Sequence, residues 1–272
     1  MSAQVLTHRI DGSGPDLLLL NGIMMSIAAW DPVAAVLATK YRVIRCDLRG
    51  QLLSPGVAPA AMSGHAQDLI ELLDHLGVRD VHVAGTSFGA MAGVLLAAGQ
   101  PERVRSLTAI TATDRVTDGM WMATEQVLRL ARRAASGENT DAVFDAVVPA
   151  TFSLAWQREQ GEALNRRRAA VASLPSAWFA GLAGLMASIR GLDLRETLGE
   201  IRCPALVIGA GDDLMFPPEY SQAVAAGIAG AELVMLPGAP HGVVVERPED
   251  VAELIDRFVG GVVMRQTVTD GP

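Results

Sequence analysis

Ser87 stands at the centre of Gly85-Thr86-Ser87-Phe88-Gly89, a Gly-x-Ser-x-Gly pentapeptide. Alone the pattern is weak, because a chain with 27 glycines produces it readily by chance. Its setting is more selective. The apolar run Val81-His82-Val83-Ala84 precedes it, and an apolar helical stretch over 90–98 follows, stopped by Gly99-Gln100-Pro101. A serine on a sharp strand-to-helix turn is presented to a ligand, and glycine at both flanks removes side chains that would collide with the adjoining strand and helix. A serine hydroxyl is a poor nucleophile at neutral pH, so it needs a base within hydrogen-bond reach and an acid that orients the base.

His241 is the expected base. It lies in Leu236-Pro237-Gly238-Ala239-Pro240-His241-Gly242, directly after the last apolar strand, although an ordinary surface-loop histidine would share that setting. His82 is embedded in a strand, His65 and His75 fall on helix patterns, and His8 belongs to the N-terminal segment, so these read as structural. For the acid, Asp212-Asp213 follows another buried strand and gives the chain order Ser, Asp, His. Either carboxylate could orient His241. Asp213 is favoured, with Asp212 bonding loop amides and Asp114, beyond the strand at 104–110, a weaker substitute. A developing oxyanion needs preorganised donors, for which the backbone N–H groups of Phe88 and Ile23 are the expected pair.

The elements that must position these groups alternate. Residues 5–10 and 16–20, separated by Asp11-Gly12-Ser13-Gly14-Pro15, read as an edge hairpin leading into a buried strand. A helix over 30–38 and a strand over 41–46 follow, then a helix over 65–76 that places Leu69, Leu72, Leu73 and Leu76 on one stripe with Gly77 as its cap. After the strand at 104–110, β/α alternation stops for about 80 residues, a length that suggests an inserted segment. Helices are expected there over 119–135, 140–150, 155–172 and 176–190. Alternation resumes with a strand over 205–208, a helix over 219–226, a strand over 232–236 and a closing helix over 248–259. Repeated βα units imply an α/β fold: a mostly parallel central sheet, helices on both faces, and ligands beyond the carboxyl ends of the strands.

Hydrophobic residues make up 50% of the 272 and charged residues 19%, which allows a large core and excludes disorder. A net charge of −8, with basic residues scattered apart from Arg166-Arg167-Arg168, argues against nucleic acid as a partner. Cys46 and Cys203 read as two buried free thiols, and neither stands in a metal-ligand spacing. The N-terminus lacks a basic start with an apolar run behind it, and no apolar stretch approaches the roughly 18 residues of a spanning helix, so a cytoplasmic protein without a membrane partner is expected.

With the serine, acid and base in order, the chain resembles the α/β-hydrolase superfamily over nearly its whole length. Trp30-Asp31-Pro32 after the oxyanion loop, Asp47-Leu48-Arg49-Gly50, Pro101-Glu102-Arg103-Val104 and the passage from Ile201 to Ile208 carry the likeness. The resemblance implies the α/β-hydrolase fold with an inserted helical cap, Ser87 as nucleophile, Asp213 as acid and His241 as base. The divided core would then span 1–114 and 192–265, the cap 115–191, and a flexible tail 266–272. Two departures stand out. Asn21-Gly22 occupies the place of His-Gly, and Gln51-Leu52-Leu53-Ser54 replaces the common glycine-containing continuation. The Asn-Gly variant is similar to that of acyltransferases making hydroxyalkanoyloxy-alkanoate lipid precursors, whereas Trp30-Asp31-Pro32 is more similar to oxoadipate enol-lactonases and small methyl-ester hydrolases.

The leading expectation is therefore a serine hydrolase of a small, largely apolar carboxylic ester or lactone, working through an acyl-enzyme without metal or organic cofactor. Acyl transfer from a thioester to a hydroxyl acceptor is the alternative, and a binding or cyclisation protein on the same fold a third. Met24 and Met25, beside the oxyanion loop, are expected in the substrate pocket, with Trp121, Trp156 and Trp178 from the inserted segment as further wall residues. The sequence leaves the oligomeric state open.

Overall fold

Leu17-Leu18-Leu19-Leu20 is apolar at every position, which suits a strand covered on both faces. All four side chains are buried. In the computed structural model, which describes residues 5–269 with side chains to residue 265, seven strands form one sheet. They are β1 (His8–Asp11), β2 (Asp16–Leu20), β3 (Arg42–Cys46), β4 (Val81–Thr86), β5 (Val104–Ile110), β6 (Ala205–Ala210) and β7 (Glu232–Leu236), in the order β1-β3-β2-β4-β5-β6-β7. Only β1 is antiparallel to its neighbour.

Alternate residues feed two cores. Leu18, Leu20, Val81, Val83, Leu107 and Val207 join one apolar cluster, while Leu17, Leu19, Ala84, Ile110, Leu206 and Ile208 join the other. Helix α1 (Asp31–Leu37) contributes to the second face. Helices α2 (Met62–His75) and α3 (Phe88–Gly99) cover the first.

Between β5 and β6 the chain leaves the sheet for five helices: α4 (Asp118–Ala135), α5 (Ala142–Thr151), α6 (Leu154–Glu159), α7 (Gly161–Ala172) and α8 (Ser176–Ser188). This helical insertion has an apolar cluster of its own, built around Leu128, Val143, Phe179, Leu182 and Met186. The chain then passes through α9 (Arg195–Leu198), β6, α10 (Pro218–Gly227), β7 and α11 (Val243–Glu246) to α12 (Pro248–Thr269), which packs with α1 on the second face. Among the described residues no single helix is long and apolar enough to cross a membrane.

Four details differ from the sequence reading. β1 does not form a hairpin with β2. Gly12 and Gly14 adopt positive φ angles of 76° and 121°, and β1 pairs instead with β3, where the buried Arg45 guanidinium bonds Asp11 and Asp31. The helix expected over 155–172 is two, joined at Gln160 beside Gly161, a weak helix former. The closing helix continues past 259 to Thr269, because Val262 is buried on the same side as Val259; residues 270–272 of the expected tail lie outside the described residues. Cys46 is buried, but Cys203 only partly.

Candidate active site

β4 is buried along its whole length and delivers Ser87 at its carboxyl end. The serine has φ 53° and ψ −116°, a backbone state that costs a non-glycine residue about 1–3 kcal/mol and persists only where its surroundings enforce it. Here the enforcement is visible. The Ser87 amide donates to the Ile110 carbonyl at 2.9 Å, and α3 begins at the next residue. A Cβ on Gly85 would come within 2.6 Å of the Gly89 carbonyl carbon, and one on Gly89 within 2.6 Å of the Asn21 carbonyl oxygen. Only glycine lets strand, turn and helix approach this closely.

Two loops on the same edge of the sheet bring the other groups. The loop after β6 carries Asp213, and the loop after β7 carries His241; they are joined by Gly211 N–H to Leu236 O and Asp212 N–H to Ala239 O, both 2.9 Å. Asp213 is held by its own loop, Oδ1 accepting from the amides of Met215 and Phe216 at 2.8 Å each. Its Oδ2 lies 2.8 Å from His241 Nδ1, and His241 Nε2 lies 2.9 Å from Ser87 Oγ. With the ring proton on Nδ1, toward Asp213 Oδ2, Nε2 is an acceptor for the Ser87 hydroxyl. The Phe216 ring meets the imidazole edge to face, with centroids 5.1 Å apart. Asp212 is exposed, and Asp114 is taken up by Arg115 at 2.5 Å.

Ser87 and His241 open onto a cavity of about 90 Å³. Its wall is largely apolar: Ile23, Met24 and Met25 from the loop after β2, Val147, Thr151 and Phe152 from α5 and its end, Met215, and Val244 and Val245 from α11. Trp121, Trp156 and Trp178, expected in this wall, are not among its lining residues. Trp121 packs between the insertion and the core with Arg190 over its ring, Trp156 stacks on Phe152 with centroids 4.4 Å apart, and Trp178 meets Phe179 edge to face. Their large rings are spent on packing helices together. Phe152 is the aromatic residue that reaches the cavity. It does so because Gly242 leaves room, since a Cβ there would lie 2.6 Å from the Phe152 ring. Met215, Val244 and Val245 had a signal in the sequence, their nearness to Asp213 and His241, and Phe152 had its place among the aromatic residues of the insertion; Val147 and Thr151 had none.

Residues 15–248 match the alpha/beta hydrolase fold family. The chain belongs to that family. Among relatives, it is 29% identical to a protein of Azorhizobium caulinodans named as a candidate carbamate hydrolase, RutD, across 94% of this chain and 96% of that protein. It is 27% identical to the pimeloyl-[acyl-carrier protein] methyl ester esterase of Aeromonas hydrophila, covering 92% and 97%. The solved enol-lactonase of Burkholderia xenovorans LB400 superposes with a TM-score of 0.82 at 27% identity, covering 94% and 96%.

In this α/β hydrolase the two departures from the family pattern meet. Asn21 Nδ2 donates to Asp47 Oδ1 at 2.9 Å and to Gln51 Oε1 at 3.2 Å; Gln51 Oε1 also accepts from the Leu48 amide at 2.7 Å, and Gln51 Nε2 donates to the Gly22 carbonyl at 2.8 Å. All three side chains are buried. Burial raises the Asp47 pKa, opposed by hydrogen bonds from the Leu53 and Ile27 amides and from Asn21. Ile23 follows in this braced loop, and Phe88 occupies the first position of α3, where a helix leaves its N–H groups without internal partners. Among the described residues no group of three His, Cys, Asp or Glu is placed to hold a metal ion.

Proposed function

We propose that this hydrolase cleaves carboxylic esters or lactones with a small, largely apolar acyl part, using Ser87, His241 and Asp213. The observation that carries the reading is the unbroken hydrogen-bond line from Asp213 to His241 to Ser87 at the mouth of an apolar cavity. Ser87 Oγ attacks the carbonyl carbon as its proton passes to His241 Nε2, and Asp213 stabilises the imidazolium. The Phe88 and Ile23 amides receive the carbonyl oxygen as it becomes an anion. Collapse of the tetrahedral intermediate breaks the ester bond; the leaving oxygen takes the proton from His241, and the acyl group stays on Ser87. Water, deprotonated by His241, then releases the acid and restores the serine.

The insertion, residues 115–191, acts as the cap, with Val147, Thr151 and Phe152 closing the acyl site. A cavity of about 90 Å³ is smaller than the roughly 150 Å³ apolar cavity that holds a benzene, so the acyl part has only a few carbons. A second reading, carbamate cleavage, draws on the RutD relatives. The same attack would serve, but a carbamate nitrogen needs polar partners. Besides Ser87 the wall offers only two hydroxyls, Thr151, which donates to Val147 O at 2.8 Å and keeps lone pairs to accept, and Thr86, paired with Thr111 at 3.2 Å.

Ser87→Ala is expected to lower turnover of p-nitrophenyl butyrate by roughly 10⁴–10⁶-fold with an unchanged melting temperature. Wild-type turnover in that variant would sink the assignment. Faster turnover of an N-alkyl carbamate than of the matched butyrate ester would favour the second reading.

A further inference from the structure

The oxyanion reading requires that the Ile23 N–H point into the site and stay there. That N–H belongs to the same planar peptide unit as the Gly22 carbonyl, and in a trans peptide the two groups point in opposite directions. Whatever fixes the Gly22 oxygen therefore aims the Ile23 hydrogen. Two donors hold that oxygen: Gln51 Nε2 at 2.8 Å and the Met25 amide at 3.1 Å. The Met25 bond closes a turn within the same loop. The Gln51 bond comes from a different element, the turn after β3, and is itself anchored by the Leu48 amide and by Asn21. Asn21 is in turn tied to Asp47, whose oxygens also receive the Ile27 amide at 2.8 Å and the Leu53 amide at 2.7 Å.

We propose that Gln51 is a positioning residue for the reaction, holding the Gly22–Ile23 peptide so that the Ile23 N–H is preorganised for the oxyanion. The proposal rests on the reading of Ser87 as nucleophile and the Ile23 amide as an oxyanion donor. It gives the two departures one physical account. Asn21 contributes an amide N–H₂ donor to Asp47 and to Gln51, and Gln51 supplies both the acceptor that Asn21 needs and the donor that reaches Gly22. The orientation of each amide group is dictated by its partners: the Leu48 N–H can only donate, which makes the atom facing it Gln51 Oε1, and that oxygen can only accept from Asn21 Nδ2. Gln51 is 3% exposed and absent from the cavity lining, so its effect on the reaction passes through the Gly22–Ile23 peptide and not through the substrate.

The test uses the full chain and two variants, Gln51→Met, which keeps the length but has no polar group, and Gln51→Asn, one methylene too short to reach Gly22. Thermal melting identifies which variants are folded. In a folded variant kcat for p-nitrophenyl butyrate is expected to fall about 10–100-fold, somewhat less than the full loss of an oxyanion donor, with KM within about twofold. Inhibition by propylboronic acid, whose alkyl group matches a butyryl chain and which forms a tetrahedral adduct with an active serine, should weaken by a similar factor. A folded variant that keeps kcat within twofold of wild type, or loses kcat while boronate inhibition is unchanged, overturns the proposal. Mass spectrometry of the wild type after a fluorophosphonate separates the two levels. No adduct on Ser87 defeats the underlying reading, whereas an adduct together with unaltered kcat in Gln51→Met defeats only the role of Gln51.

Discussion

The carboxyl edge of the sheet and the helical insertion face each other across the same cavity, yet they are built by different rules. On the sheet side nearly every position is forced: Gly85 and Gly89 admit no Cβ, Ser87 is held at positive φ, and Asp213 is pinned by two amides of its own loop. On the insertion side, α5 reaches the core through few polar ties, among them the Gly242 amide to Thr151 O at 2.7 Å and the Ser153 hydroxyl to Glu246 at 2.6 Å. Close packing without slack fixes where reacting atoms sit, and looser amphipathic packing sets the size and shape of what they meet. On the proposed reading, the first region governs whether the protein reacts and the second what it reacts with.

The comparison is broken most severely by Gly89→Ala. The new methyl would press on the carbonyl oxygens of Leu20 and Asn21, which belong to backbone and cannot swing away. The expected cost reaches or exceeds the about 1–3 kcal/mol typical of overpacking, with esterase activity lost, and chemical denaturation beside an activity assay measures both. Near-normal activity would mean that the turn has slack.

Acid acts on the core around the sheet. His65, fully buried against the Phe88 ring, and His82 are each pushed down to about 4, mainly by burial, with Arg49 and Arg105 respectively adding to it. Their folded pKa lies below the unfolded value of 6.5, so the unfolded chain binds more protons between these limits. Stability should be full above about pH 6.5 and decline toward pH 4, by on the order of a few kcal/mol for the pair. Asp47, raised by burial, works in the opposite direction, so the clean measurement compares wild type with His65→Leu. The variant should show a shallower fall in urea midpoint across that window, and an equal slope would remove His65 from the account. The insertion contains no histidine and contributes nothing of this kind.

The smallest effect lies on the insertion side. Phe152→Ala should leave butyrate turnover within a few-fold and raise the ratio of octanoate to butyrate kcat/KM roughly tenfold, since a methylene or two of pocket space is worth about 1–3 kcal/mol in discrimination. An unchanged ratio, measured across a series of p-nitrophenyl esters, would mean that Phe152 does not limit the acyl part.

The same contrast explains what could be read from the sequence. The apolar runs within the strands, Leu17–Leu20 above all, and the glycine-flanked serine are local patterns with one physical solution each, and β7 falls on the residues expected. The pairing of β1 with β3 was not legible, because it depends on Arg45 finding Asp11 and Asp31 across the sheet edge. The insertion was legible as helices but not as a pocket wall. Trp121, Trp156 and Trp178 signal burial, and nothing local distinguishes an aromatic ring that packs helices from Phe152, which faces the cavity only because Gly242 lies opposite. Asn21 and Gln51 were visible as oddities, but their meeting across 30 positions is a property of the fold.

The central claim is that Ser87 forms the covalent intermediate. Wild-type protein mixed with an activated butyrate ester, quenched in acid within the first turnovers and digested, is expected to carry one butyryl group on the peptide containing Ser87 and none in Ser87→Ala. Turnover of the ester with that peptide unmodified, or an acyl group on another residue, would contradict the account.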